Sequence, residues 1–144
     1  MLGLQEDNYA RKSHKIPNLK NSSPEDADME HGSINYIEFP ARDIEATKTF
    51  FIQAFAWRFE DYGPEYSAFE GKGLMGGFYL ADLASNAGSG AALMVFYSEN
   101  LEQTERDVID AGGKINREIF SFPGGRRFHF LEPSGNEMAV WSDK

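Results

Sequence analysis

Cysteine is absent from the chain, which excludes disulfide staples, thiolate nucleophiles and cysteine-ligated zinc. Long apolar runs are absent too. No stretch could span a bilayer as a helix, and the first residues lack the basic-then-apolar order of a secretory signal. A cytoplasmic residence is the expectation. Positive charge is scarce, with 14 Lys and Arg against 23 Asp and Glu and a net charge of -9. That balance argues against a nucleic-acid partner, because phosphate binding rests on clustered cations. It favours a neutral or cationic small ligand over an anionic one. Histidine is sparse, and only His129 lies beyond the first 32 residues.

Apolar material is ample: 41% of the 144 residues are hydrophobic and 12 are Phe. A chain of this size can bury one real core unaided. Residues 1–32 are polar, of mixed charge and without helical or strand period, and read as an N-terminal tail. Leu2, Leu4, Ile16 and Leu19 are its few anchors should it instead clasp a partner.

An internal repeat organises the rest. The run from Tyr36 to Thr47 overlays the run from Leu93 to Thr104 without a gap, with Phe39 on Phe96, Glu45 on Glu102 and Asp43 on Asn100. Asp43 and Asn100 are good N-caps, because a short side-chain oxygen accepts from the free N–H groups of the first turn. Helices are expected after both, with Ile44, Thr47, Phe51 and Phe55 on one stripe and Leu101, Thr104, Val108 and Ala111 on the other. Gln103 stands where it could complete a capping box. Gly112 and Gly113 suit the end of the second helix through positive φ, and Ala56 would be a strained substitute at the position equivalent to Gly113.

Strand-like segments come after each helix: Trp57 to Glu60, Tyr66 to Glu70 and Met75 to Leu80, then Lys114 to Ile119, Arg127 to Leu131 and Glu137 to Trp141. The run from Ala84 to Gly90 reads as a flexible linker. The expected architecture is α+β: two βαβββ modules, about residues 33–82 and 90–143, within a domain spanning 33–143. Neither module can stand alone, so their curved mixed sheets should surround a shared cavity.

This doubled order resembles the vicinal oxygen chelate superfamily, which includes glyoxalases and bleomycin-resistance proteins. Asp43 to Phe51 is similar to the family's first helix, Phe55-Ala56-Trp57 to its close, and Glu132-Pro133-Ser134-Gly135-Asn136-Glu137 to the turn before its last strand. The resemblance implies metal-ligand positions at Tyr36, Leu93, Gly77 and Ala139. Leu, Gly and Ala carry no donor, so the usual divalent metal is not expected, and with it goes ordinary glyoxalase or dioxygenase chemistry.

Strand parity then nominates what remains for a ligand cavity. Ile37 with Phe39, and Met138 with Val140, suit the helix-covered faces. Tyr36, Glu38, Glu137 and Trp141 fall on the other side. Tyr79 could add an aromatic wall, His129 could join Glu38 and Glu137 in a displaced metal site, and Arg126 and Arg127 could hang over the cavity mouth. Three functions suit such a chain: a metal-independent small-molecule binder resembling the drug-sequestering branch, an enzyme of lyase, isomerase or dioxygenase type using Glu38 and Glu137, or a non-catalytic domain. A homodimer is expected, since short curved sheets leave edges to cover.

Overall fold

The computed structural model describes residues 29–144. The tail expectation and its four anchors therefore lie almost wholly outside the described residues. Two βαβββ modules make up the described chain. The first holds β1 (Tyr36–Ala41), α1 (Ile44–Phe55), β2 (Arg58–Asp61), β3 (Tyr66–Glu70) and β4 (Met75–Leu80). The second holds β5 (Met94–Tyr97), α2 (Leu101–Asp110), β6 (Lys114–Phe122), β7 (Gly125–Leu131) and β8 (Glu137–Ser142). Each module forms one four-stranded mixed sheet, in order β1-β4-β3-β2 and β5-β8-β7-β6. The first strand of each runs parallel to its last.

The helices begin where short polar side chains cap them. Asp43 accepts from the Ala46 N–H at 3.0 Å and Asn100 from the Gln103 N–H at 3.1 Å. The expected capping box does not form: the Gln103 amide bonds Asp107 and Arg106, and the Asn100 N–H donates to the Ser98 hydroxyl instead. α1 closes through Ala56 at φ 58, a left-handed conformation that a Cβ disfavours. α2 closes one residue earlier than the repeat implies. Gly112 takes the positive φ, while Gly113 lies where a Cβ would press on Val108 and Phe50.

Both helices and one face of each sheet share a single core. Phe51 stacks on Trp57, and Trp57 on Phe69, with ring centroids 4.3 Å apart in each pair. α1 also reaches the second sheet, through Phe50 against Phe130 at 5.7 Å and Phe55 against Phe96 at 4.2 Å. Burying each such ring contributes about 1.5–3 kcal/mol, so the modules are joined mainly by apolar packing on their helix sides. A polar clasp adds register. The buried Glu132 accepts from the Thr47 hydroxyl at 3.0 Å and from the Ser134 N–H, and Asn136 donates to the Pro40 carbonyl at 2.7 Å.

The segment expected as a flexible linker is pinned to the start of β8. The Ser85 N–H donates to Asn136, the Glu137 N–H to the Ser85 carbonyl, and the Ala87 N–H to the Glu137 carboxylate at 2.9 Å. Its Gly and Ser content described the backbone's freedom, not the acceptors waiting beside it. No described helix is long and apolar enough to cross a membrane.

Candidate functional site

Pairing register settles which side chains share the faces turned away from the helices. In the first sheet Tyr36 lies opposite Met75, Glu38 opposite Gly77 and Tyr66 opposite Tyr79. Tyr66 gives its hydroxyl proton to Glu38 at 2.6 Å, so the 2.9 Å contact between the two tyrosines has Tyr36 as donor. Sequence reasoning does not single out Tyr66. Its cue is Gly77: a Cβ there would collide with the Tyr66 ring and hydroxyl, so the glycine makes room for the tyrosine. Tyr36, Tyr62, Met75 and Tyr79 pack around buried Tyr66 and Ala68 as a cluster distinct from the main core.

In the second sheet Arg127 lies opposite Trp141, His129 opposite Ala139 and Leu131 opposite Glu137. A guanidinium can only donate. His129 Nε2 must therefore accept from Arg127 Nη2 at 2.8 Å, and the ring proton sits on Nδ1, facing Glu137 at 2.9 Å. The hydrogen bond from His129 holds the Glu137 carboxyl below the usual carboxylate range; burial opposes this, and the Ala87 N–H and Asn116 amide assist it. Glu137 is buried and fully engaged. It orients His129 and anchors the inter-module segment.

β6 brings further groups to this face by irregularity. Register shifts occur between Ile115 and Arg117 and again between Arg117 and Phe120. Strict alternation would put Arg117 and Phe120 on opposite faces. The bulge turns both the same way, with Arg117 opposite His129 and Phe120 opposite Arg127. The Arg117 guanidinium lies 3.8 Å from the Phe120 ring centroid and that of Arg127 5.5 Å. Trp141 meets Tyr97 edge-on and Phe122 at a tilt. Arg126 is not part of this group. One residue out of phase with Arg127, it points to the helix side, where it ion-pairs with Glu102 and bonds the Lys144 carbonyl.

Glu38 and Glu137 thus both avoid the helix-covered faces, but they belong to separate networks, one on each sheet. The modules share their core through the helices, which leaves each carboxylate to its own sheet. Among the described residues no three His, Asp or Glu side chains converge as a metal-holding group, and the displaced Glu38, Glu137 and His129 site is not brought together.

Residues 33–140 match the Glyoxalase/Bleomycin resistance protein/Dioxygenase superfamily, and the chain belongs to that family. No curated protein matches the sequence. Among solved structures the chain is similar to a glyoxalase-related enzyme from Fulvimarina pelagi, with TM-score 0.65, 16% identity and coverage of 77% of this chain and 88% of that one. It is also similar to a lactoylglutathione lyase from Agrobacterium tumefaciens, with TM-score 0.60, 15% identity and coverage of 79% and 96%. TioX from Micromonospora sp. ML1 matches with TM-score 0.59, 15% identity and coverage of 78% and 100%.

The metal that the family fold implies does not fit the residues present. Gly77 cannot give way to a ligand while Tyr66 fills its side-chain space, Ala139 is wholly buried without a donor, and Leu93 has none. The Tyr36 hydroxyl already donates to Tyr66.

Proposed function

We propose that the protein binds a small organic molecule through its own side chains, without the family's divalent metal. The observation that carries this reading is the second sheet's outward face. There Val95 and Tyr97 stay 42% and 49% exposed, although Val95 lies opposite buried Ala139 and Tyr97 opposite Trp141. They adjoin polar groups already locked in place: Arg127 on His129 and His129 on Glu137. Apolar surface beside a few oriented polar groups is the usual composition of a small-molecule site. On the first sheet Tyr36, Glu38 and Tyr79 supply a second aromatic and acidic surface with the same organisation.

A second reading, lyase or isomerase chemistry with Glu38 as proton acceptor, is supported by the 2.6 Å hydrogen bond from the Tyr66 hydroxyl, which orients that carboxylate. One structural neighbour of the same fold is named as a lyase. Ligand-observed NMR with a library of small metabolites, run with and without a chelator, tests the principal reading. Binding should persist in chelator. Binding that vanishes in chelator and returns with a divalent metal would defeat it, and turnover of a bound compound, lost in Glu38→Gln, would favour the second.

A further inference from the structure

Resting on the binding reading above, we propose that the second sheet's outward face is an oxyanion site: Arg117 and Arg127, held beside the Phe120 ring, bind the carboxylate of a small organic anion whose flat apolar part lies along Trp141 and Tyr97. The net charge of the chain predicts the opposite preference, so the local geometry has to outweigh it.

It can do so because these two arginines, unlike several other cations of the described chain, are not matched with an acid. Arg42 pairs with Asp82, Lys48 with Glu45 and Asp61, Arg58 with Glu70, and Arg126 with Glu102. Neither Arg117 nor Arg127 forms an ion pair with any described residue; Glu137 has its oxygens taken by His129 and the Ala87 N–H, and the Asp143 carboxylate beside Tyr97 accepts from the Tyr97 hydroxyl. Arg127 uses Nε and Nη2 on His129 Nε2, at 3.2 and 2.8 Å. A guanidinium carries five N–H donors, so Nη1 and the rest of Nη2 still need an acceptor.

Two guanidinium groups close to one ring repel each other unless an anion lies between them or water screens them. The β6 bulge nevertheless turns Arg117 and Phe120 to the face that carries Arg127, and the chain Glu137 to His129 to Arg127 fixes the Arg127 fork. This chain also explains why His129 is held in its Nδ1–H form. With the proton on Nε2 instead, the ring would face Arg127 donor to donor. Pre-oriented guanidinium forks match the two oxygens of a carboxylate. The exposed aromatic surface beside them supplies stacking for an apolar body.

The test uses three probes that share one ring system: 2-naphthoate, 2-naphthamide and 2-naphthylmethylamine, titrated calorimetrically into the full-length protein. Naphthoate should bind at least about tenfold more tightly than the amide or the amine, and its affinity should fall with added salt. Arg117→Gln and Arg127→Gln should each weaken naphthoate by about tenfold and leave the amide unchanged. Arg106→Gln, on the far surface of α2, should change nothing. Arg117 is solvent-exposed on β6, so its variant keeps the test valid if Arg127→Gln disturbs folding. Equal binding of amide and naphthoate, or naphthoate binding indifferent to both substitutions, overturns the oxyanion site while leaving the general binding reading intact. Failure of all three probes counts against both. A dimer that depends on Arg117 and excludes naphthoate would assign the face to a second copy of the chain and also overturn the proposal.

Discussion

Ala56 ends α1 at φ 58, where a Cβ costs about 1–2 kcal/mol and glycine costs nothing sterically. Glycine loses roughly 0.5–1 kcal/mol of that gain to backbone entropy. Ala56→Gly should therefore stabilise the fold by about 0.5–1 kcal/mol and raise the calorimetric midpoint by about 2–4 °C. The carboxylates of Glu38 and Glu137 should respond differently to neutralisation. Glu137→Gln replaces an acceptor facing the His129 Nδ1–H and disturbs the tautomer that receives Arg127, so urea unfolding should show a loss of roughly 1–3 kcal/mol. Glu38→Gln, part-exposed and bonded to one hydroxyl, should cost less. Equal losses would mean that Glu137 neither orients His129 nor anchors the inter-module segment. The caps and the strain at Ala56 were legible in the sequence because they depend on residues a few positions apart. The engagement of Glu137 was not, because its partners come from β7, β6 and the inter-module segment.

Between elements, the clasp at the β7–β8 turn makes a pH signature. Burial pushes the Glu132 carboxyl up to about 7, against the opposing hydrogen bonds from the Ser134 N–H, Thr47 and Asn136. The folded state thus holds this proton more tightly than the unfolded chain does. Its contribution is fully present below the unfolded value near 4.5 and is lost as pH rises toward 7. A difference of this size corresponds to about 3 kcal/mol over that window. Subtracting the unfolding free energies of Glu132→Gln from those of the native chain across pH 4.5–8 should isolate a falling curve. A flat difference would mean that Glu132 is ionised throughout. Most strand positions were legible from turn residues and alternation, but β6 runs three residues past the expected Ile119, and its bulge defeats parity. That bulge hides Arg117 and Phe120 from strand parity, and adjacency pairs Arg126 with Arg127 where strand alternation separates them.

At the scale of the molecule, β1, β2, β5 and β6 are the edge strands of two short sheets, while Ile52, Leu80, Leu83 and Ile109, all away from the proposed ligand face, are about half exposed. Edges and apolar surface together predict a homodimer, which light scattering over a range of concentrations should report as twice the chain mass. A constant single-chain mass would contradict it. The repeat exposed the doubled architecture in the sequence because each module repeats cap, helix and strands at one fixed offset. It could not show that the modules join through their helices, since that depends on which faces of α1 carry Phe50 and Phe55. The proposed binding of an organic ligand by side chains in place of metal is read most directly as ligand-induced stabilisation. A thermal-shift series sets zinc, nickel, manganese and ferrous iron against small organic molecules on the same chelator-stripped protein, because a ligand of the native state raises the midpoint by linkage. Organic ligands should raise the midpoint, and none of the metals should do so at stoichiometric concentration. A stoichiometric metal that raises it, with the shift abolished by Tyr36→Phe, would contradict binding by side chains alone.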